Sequence, residues 1–258
     1  MTKHTFFLFC VFIAFSCSND KLESKGFAIS EISDEETVPE KSGLAKDSAV
    51  FQTQPYKVLL TAHPAHRLTP LFKVNYNKKT QKPFIGSTDF HYRYSEEIES
   101  GNNWNSHLIP GFEAAYGYNL VNISHFNTGT QKQQVLFEKP VLIKTIYYPA
   151  FTKDTLNNKP VTRNFYMVSA YDEDTNKDGM INLQDLRRFY YFDLEGENKR
   201  ALLPENYSIQ ASEYDPANDV VYIFAKLDEN NNGTADDRES VHIFWIDLTN
   251  PEKTGRQL

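Results

Sequence analysis

The sequence predicts an all-β, mostly antiparallel domain over residues 51–258. Three observations carry this. Short aromatic and β-branched runs alternate with turn residues. No stretch after residue 51 sustains the 3.6-residue apolar period of a helix. One run also recurs at a fixed offset: FYYFDL at 189–194 matches IFWIDL at 243–248, 54 residues later. A β-sandwich is the alternative arrangement for such strands.

The chain begins with a short basic start, Lys3 and His4, followed by an apolar run over 6–15. That run is too short to span a bilayer as a mature helix and suits a signal-peptide core. Ser16 then precedes Cys17, and polar residues follow. This pattern resembles a bacterial lipoprotein signal, which implies cleavage before Cys17 and its lipidation. Phe15 departs from the usual box, where a small residue stands, so ordinary secretion is the alternative. Cys10 would leave with the signal. These are the only two cysteines, so the remainder has no disulfide and no cysteine metal site.

Residues 18–50 carry eight acids and four bases among few large apolar groups. Such a stretch buries too little surface to offset its ordering entropy, and it is expected to be a disordered tether. From residue 51 the strand candidates are 57–60, 120–123, 144–148, 165–168, 189–194, 220–224 and 243–248. Each copy of the repeat has an earlier strand, an acidic glycine-containing loop, the matched strand, and a turn leading to a short apolar stretch at 200–203 or 256–258. Residues 118–137 are expected to be a degenerate earlier copy. This unit resembles a β-propeller blade of the TolB type found in bacterial envelope proteins. The resemblance covers roughly 112–258 and implies a partial or irregular propeller, since about three units fit where four are usual.

Residues 174–185 read DTNKDGMINLQD and match the EF-hand calcium loop. Asp174, Asn176 and Asp178 alternate, so a curled loop points all three at one centre. Gly179 makes the turn, and Met180 offers its backbone carbonyl. Ile181 packs the loop. Asn182 sits where a ligand often acts through water, and Asp185 closes the loop. Residues 228–239 read DENNNGTADDRE and repeat the pattern with Asp228, Asn230, Asn232, Thr234, Asp236 and Glu239. Calcium is a hard cation that takes six to eight oxygens, which explains these residue types. The flanks are strand-like, with one or two helical turns at most over 183–188, so a calmodulin-type helix opening has no helices to move. The loops resemble those of dockerins and other secreted calcium-binding repeats, which implies structural Ca2+ at two sites.

Other constellations are weaker. His63 and His66 flank Pro64, with His91 and His107 further on; they read as turn and surface histidines rather than a zinc site. His125 and His242 read as strand packing residues. Glu96, Glu97 and Glu99 lie beside Tyr92, Tyr94 and Trp104 and read as a solvated loop. Tyr147, Tyr148, Tyr166, Phe189, Tyr190, Tyr191 and Trp245 read as core and cross-strand packing, not as a glycan platform. No nucleophile elbow, P-loop or dinucleotide fingerprint occurs, so no catalytic residue is assigned.

Composition bounds the function. The 258 residues are 40% apolar and 14% aromatic, which excludes a wholly disordered chain. The net charge of −7 argues against a non-specific nucleic-acid binder, because phosphate repels it. Residues 51–258 hold 22 bases and 26 acids, a deficit that two Ca2+ would neutralise. The expectation is a non-enzymatic, calcium-binding lipoprotein, anchored in the outer membrane through Cys17, that serves as an interaction or scaffold module. Its overall layout resembles that of uncharacterised Gram-negative surface lipoproteins. An envelope protein or glycan is the expected partner. The alternative is a calcium-dependent polysaccharide hydrolase or glycan-binding protein.

Overall fold

A computed structural model describes residues 26–32, 51–77, 79–86, 109–117 and 119–258. The expected signal, Cys10 and Cys17 lie outside the described residues, as do His91, His107, Trp104 and the acids Glu96, Glu97 and Glu99. β1 (Phe27–Ala28) leads into a single 3-10 turn, Ile29–Glu31. β2 (Thr53–Pro55), β3 (Leu59–Leu60) and β4 (His66–Lys73) start a first sheet, and β5 (Asn75–Tyr76) and β6 (Pro83–Phe84) form a small hairpin. β7 (Phe112–Tyr116) enters a second sheet before β8 (Leu120–Asn127) and β9 (Lys132–Val135) return to the first. β10 (Leu142–Pro149) follows, then a hairpin of β11 (Asp154–Leu156) and β12 (Lys159–Val161). β13 (Phe165–Tyr171), β14 (Met180–Ile181), β15 (Arg188–Asp193) and β16 (Arg200–Ala201) come next. β17 (Tyr207–Asp215), β18 (Val220–Leu227), β19 (Val241–Asp247) and β20 (Thr254–Arg256) make a third sheet.

The fold is all-β, and the strand pairs are antiparallel. The first sheet runs β2-β4-β8-β9, with β3 also on β4. The second runs β16-β15-β13-β10-β7, and the third is the meander β17-β18-β19-β20. An up-and-down run of four strands is the unit of a propeller blade.

Side-chain alternation shows how the sheets stack. In β13 Phe165 and Met167 join a core with Tyr207, Ile209, Val221, Ile223, Phe244 and Ile246 of the third sheet. The intervening Tyr166, Val168 and Ala170 join a core with Leu68, Phe72, Leu120 and Ile123 of the first. The second sheet is therefore a middle layer, covered on both faces. This explains its sequence: a strand buried on both faces reads as a continuous apolar run rather than an alternation. The aromatic run of β15 divides the same way, with Phe189 in one core and Tyr190 and Phe192 in the other. Two cores across three layers exceed the single core of a two-layer sandwich.

The repeat is a structural one. β15 and β19 are equivalent strands, each followed by a short strand, β16 or β20. The expected early copy, 118–137, forms the β8–β9 hairpin but belongs to the first sheet.

Three expectations need correction. Residues 26–32 fall within the expected tether, yet β1 pairs with β14 and Phe27 is buried. They are the apolar island of that stretch, and Phe27 finds Val121, Leu142, Tyr171 and Ile181 to pack against. Residues 183–188 form a turn rather than helical turns, because the chain must enter β15 at Arg188. His66 is not a surface histidine: it opens β4 and is buried against His125. Its partner arrives from β8, 59 residues away, which local sequence does not reveal.

Candidate metal centre

Both EF-hand-like segments connect equivalent strands. Loop 1, residues 174–185, leaves β13 and returns to β15; loop 2, residues 228–239, leaves β18 and returns to β19. The 54-residue offset of the sheets is thus also the offset of the loops.

The two loops fold by the same hydrogen bonds. In loop 1 the Asp174 carboxylate accepts the N–H of Asp178 at 3.0 Å and of Gly179 at 2.9 Å. In loop 2 Asp228 accepts those of Asn232 at 3.1 Å and Gly233 at 2.9 Å. Asn176 accepts from Asp178 N–H, and Asn230 from Asn232 N–H. Asp178 accepts from Met180 N–H, and Asn232 from Thr234 N–H. The closing acids match as well. Asp185 accepts from Thr175 N–H at 2.8 Å and Asn182 N–H at 2.8 Å. Glu239 accepts from Glu229 N–H at 3.2 Å and Asp236 N–H at 2.8 Å. Gly179 and Gly233 both take positive φ, at 85° and 75°. That region penalises a side chain, so the sharp turn calls for glycine.

This pattern brings only part of each expected donor set together. Asp178 Oδ2 receives the side-chain amide of Asn182 at 3.1 Å, and that of Asn176 lies 3.5 Å away. In loop 2 Asp236 Oδ2 receives Asn230 at 3.1 Å and Asn232 at 2.8 Å. The carbonyl oxygen of each of these Asn side chains meanwhile accepts a backbone N–H of its own loop, which fixes the orientation of the amide. Asn182, Asp185, Asp228 and Glu239 are buried. Burial pushes the Asp185 carboxyl up to about 6, against the three backbone N–H groups that favour its charged form. Oxygen is the donor atom throughout, as a hard cation requires. Among the described residues no group of three or more His, Cys, Asp or Glu side chains could by itself hold a metal ion. The three acids expected in each loop, Asp174, Asp178 and Asp185 or Asp228, Asp236 and Glu239, therefore do not converge as such a group; what meets is Asp178 or Asp236 with the neighbouring amides.

Neighbouring acids are separately engaged. Asp172 and Glu173 both meet Arg188, at 3.2 and 2.8 Å, and Asp237 lies 3.4 Å from the Lys226 ammonium. They stand outside the donor set.

Two features escaped the sequence reading. The loops touch: the Thr175 hydroxyl donates to Gly233 C=O at 2.6 Å and accepts from Leu186 N–H at 2.8 Å. A Cβ on Gly233 would lie 1.9 Å from Thr175 O, so glycine there also permits the close approach. The second feature is β1 on loop 1. Its only sequence signal is the apolar group Phe27, Ala28 and Ile29 within a polar stretch.

Among the described residues the histidines form no metal site. His66 Nδ1 lies 3.1 Å from His125 Nε2, while His63 Nε2 lies 2.7 Å from Arg163 C=O. Burial lowers the pKa of both His66 and His125, which favours neutral rings. Tyr147, Tyr148, Tyr166, Phe189 and Tyr190 are buried, as packing residues should be. Tyr191 and Trp245 are half-buried.

No protein-family model matches the chain, and no curated protein matches it in sequence.

Proposed function

We propose that the chain is a non-enzymatic, calcium-binding lipoprotein of the bacterial envelope, anchored through Cys17. Its all-β domain serves as an interaction or scaffold module toward an envelope protein or glycan. The observation that carries the calcium reading is the shared geometry of two loops, 54 residues apart, at equivalent places in two sheets. Asp174, Asn176, Asp178, Asn182 and Asp185 would hold one ion with the Met180 carbonyl. Asp228, Asn230, Asn232, Asp236 and Glu239 would hold the other with the Thr234 carbonyl. A bound Ca2+ supplies positive charge and a coordination shell that order the loop around it.

The protein's own groups set the task. The loops link strands of the second and third sheets, and Thr175 joins them to each other. Ordering them braces two layers at one edge. Nothing in this arrangement requires a substrate, and the anchor reading rests on the signal-like start alone.

Calcium titration of the purified protein tests the metal reading. Its melting temperature and tryptophan fluorescence should rise or shift at millimolar calcium, the range of extracellular modules. No response to 10 mM calcium would refute it. Labelling cells with a fatty-acid analogue tests Cys17; an unlabelled, secreted product would remove the anchor.

A further inference from the structure

Loop 1 is not free on its outer edge. β1 lies antiparallel to β14, with Phe27 opposite Ile181 and Ala28 opposite Met180. One residue further, Ile29 N–H donates to Gly179 C=O at 2.9 Å. Antiparallel pairs alternate between hydrogen-bonded and non-hydrogen-bonded positions. Ile29 and Gly179 occupy a bonded position, so Ala28 and Met180 fall in a non-bonded one. The Met180 carbonyl therefore points away from β1, toward the loop interior, where Met180 N–H already meets Asp178. β1 docks on the loop without using the carbonyl that the donor set needs.

The docking demands one loop shape. Gly26 takes φ of 51°, and a Cβ there would lie 1.6 Å from Ile181 O. Phe27 is 1% exposed and sits among Val121, Leu142, Tyr171 and Ile181. A two-residue strand pair is too short to persist alone, so its register depends on the loop holding Gly179, Met180 and Ile181 in line.

We infer that residues 26–32 are a latch that docks on loop 1 when that loop holds its cation and releases when it does not. The inference rests on the calcium reading of loop 1. The latch fixes the position of Gly26, so cation occupancy sets where that residue is held. Linkage makes the effect mutual: what the cation adds to docking, docking adds to cation affinity.

Hydrogen–deuterium exchange on the full chain in detergent tests this, in calcium chloride and after chelation. Exchange in 26–32 should be about 5- to 150-fold slower with calcium, the usual range for coupled sites. Residues 174–185 should slow with it. If 174–185 responds and 26–32 does not, the latch is overturned and the calcium reading stands. If neither responds, the calcium reading itself fails and takes the latch with it. The reciprocal arm uses Gly26→Ala, with Phe27→Ser as a second variant. Both should undock the segment and weaken calcium binding at loop 1 by the same factor, leaving loop 2 unchanged. Undocking without loss of loop 1 affinity would refute the coupling.

Discussion

The two seams between the three sheets are held by different chemistry. Between the second and third sheets, Arg163 forks onto Asp219 at 2.8 and 2.7 Å. The same guanidinium donates to the carbonyls of Pro110 and Leu248, and Tyr214 donates to Asp219. Arg163 is 3% exposed. Loops 1 and 2 and their Thr175 contact lie on this seam. Between the first and second sheets, polar contacts include Gln134 to Glu195 C=O at 2.7 Å, Asn127 to the Glu195 carboxylate at 3.1 Å and His66 Nε2 to that carboxylate at 3.7 Å, and the His125 ring, paired with His66 inside the first sheet, meets the Tyr166 ring of the second at 6.1 Å. Lys132 and Glu197 pair at the exposed rim, where an ion pair contributes little. One seam therefore depends on buried charge and carries the two loops proposed to bind calcium. The other depends on apolar packing with an imidazole pair that proton uptake disturbs. Adjacent layers of one domain should respond to different solution variables.

The largest expected effect breaks the charged seam. Arg163→Ala leaves Asp219 buried without its partner and should cost about 3–5 kcal/mol in denaturant unfolding. The double change Arg163→Met, Asp219→Leu should cost much less, since removing both charges leaves none unpaired. A loss under about 1 kcal/mol for Arg163→Ala would show that this pair does not hold the seam.

The second effect concerns the cation. Asp174→Ala with Asp178→Ala should abolish the response of loop 1 and leave that of loop 2. At calcium 100 times the dissociation constant, one lost site removes about 2.7 kcal/mol of stabilisation. Melting in calcium and in chelator measures it, and an unchanged calcium response refutes the assignment of these residues.

A smaller effect separates the loops from each other. Thr175→Val keeps the shape but removes the hydroxyl shared by Gly233 and Leu186, at about 1 kcal/mol for each hydrogen bond. The stability loss should appear with and without calcium. If the variant melts like the parent, the loop contact is incidental.

The smallest effect, near neutrality, distinguishes the seams by pH. Folded His66 and His125 resist protonation, so the unfolded chain binds more protons once pH falls below about 6.5. Their contribution is intact above that point and is lost progressively as pH falls through the lowered folded values. His66→Phe should flatten this slope, whereas Asp219→Leu with Arg163→Met should not. A slope unchanged by His66→Phe would place the acid sensitivity elsewhere.

Much of this was legible in local sequence. The strands at 165–168, 189–194, 220–224 and 243–248 carry enough branched and aromatic residues to declare themselves, and β13, β15, β18 and β19 include them. The loops were legible because their donors sit at fixed spacing within twelve residues, and Gly179 and Gly233 mark the turns. β4 was missed, since Pro64 and two histidines mimic a loop. Its pairing with β8 supplies the ladder that local propensity does not.

The sequence by itself determined the β class, the 54-residue repeat and the donor pattern of both loops, because each depends on residues close along the chain. Tertiary structure alone decided which faces the repeat buries, that Thr175 meets Gly233, that His66 meets His125, and that Phe27 returns to loop 1. Those contacts join residues between about 60 and 150 positions apart, and they form because apolar faces must be covered and buried polar groups must find partners. No local pattern names the partner that covers them.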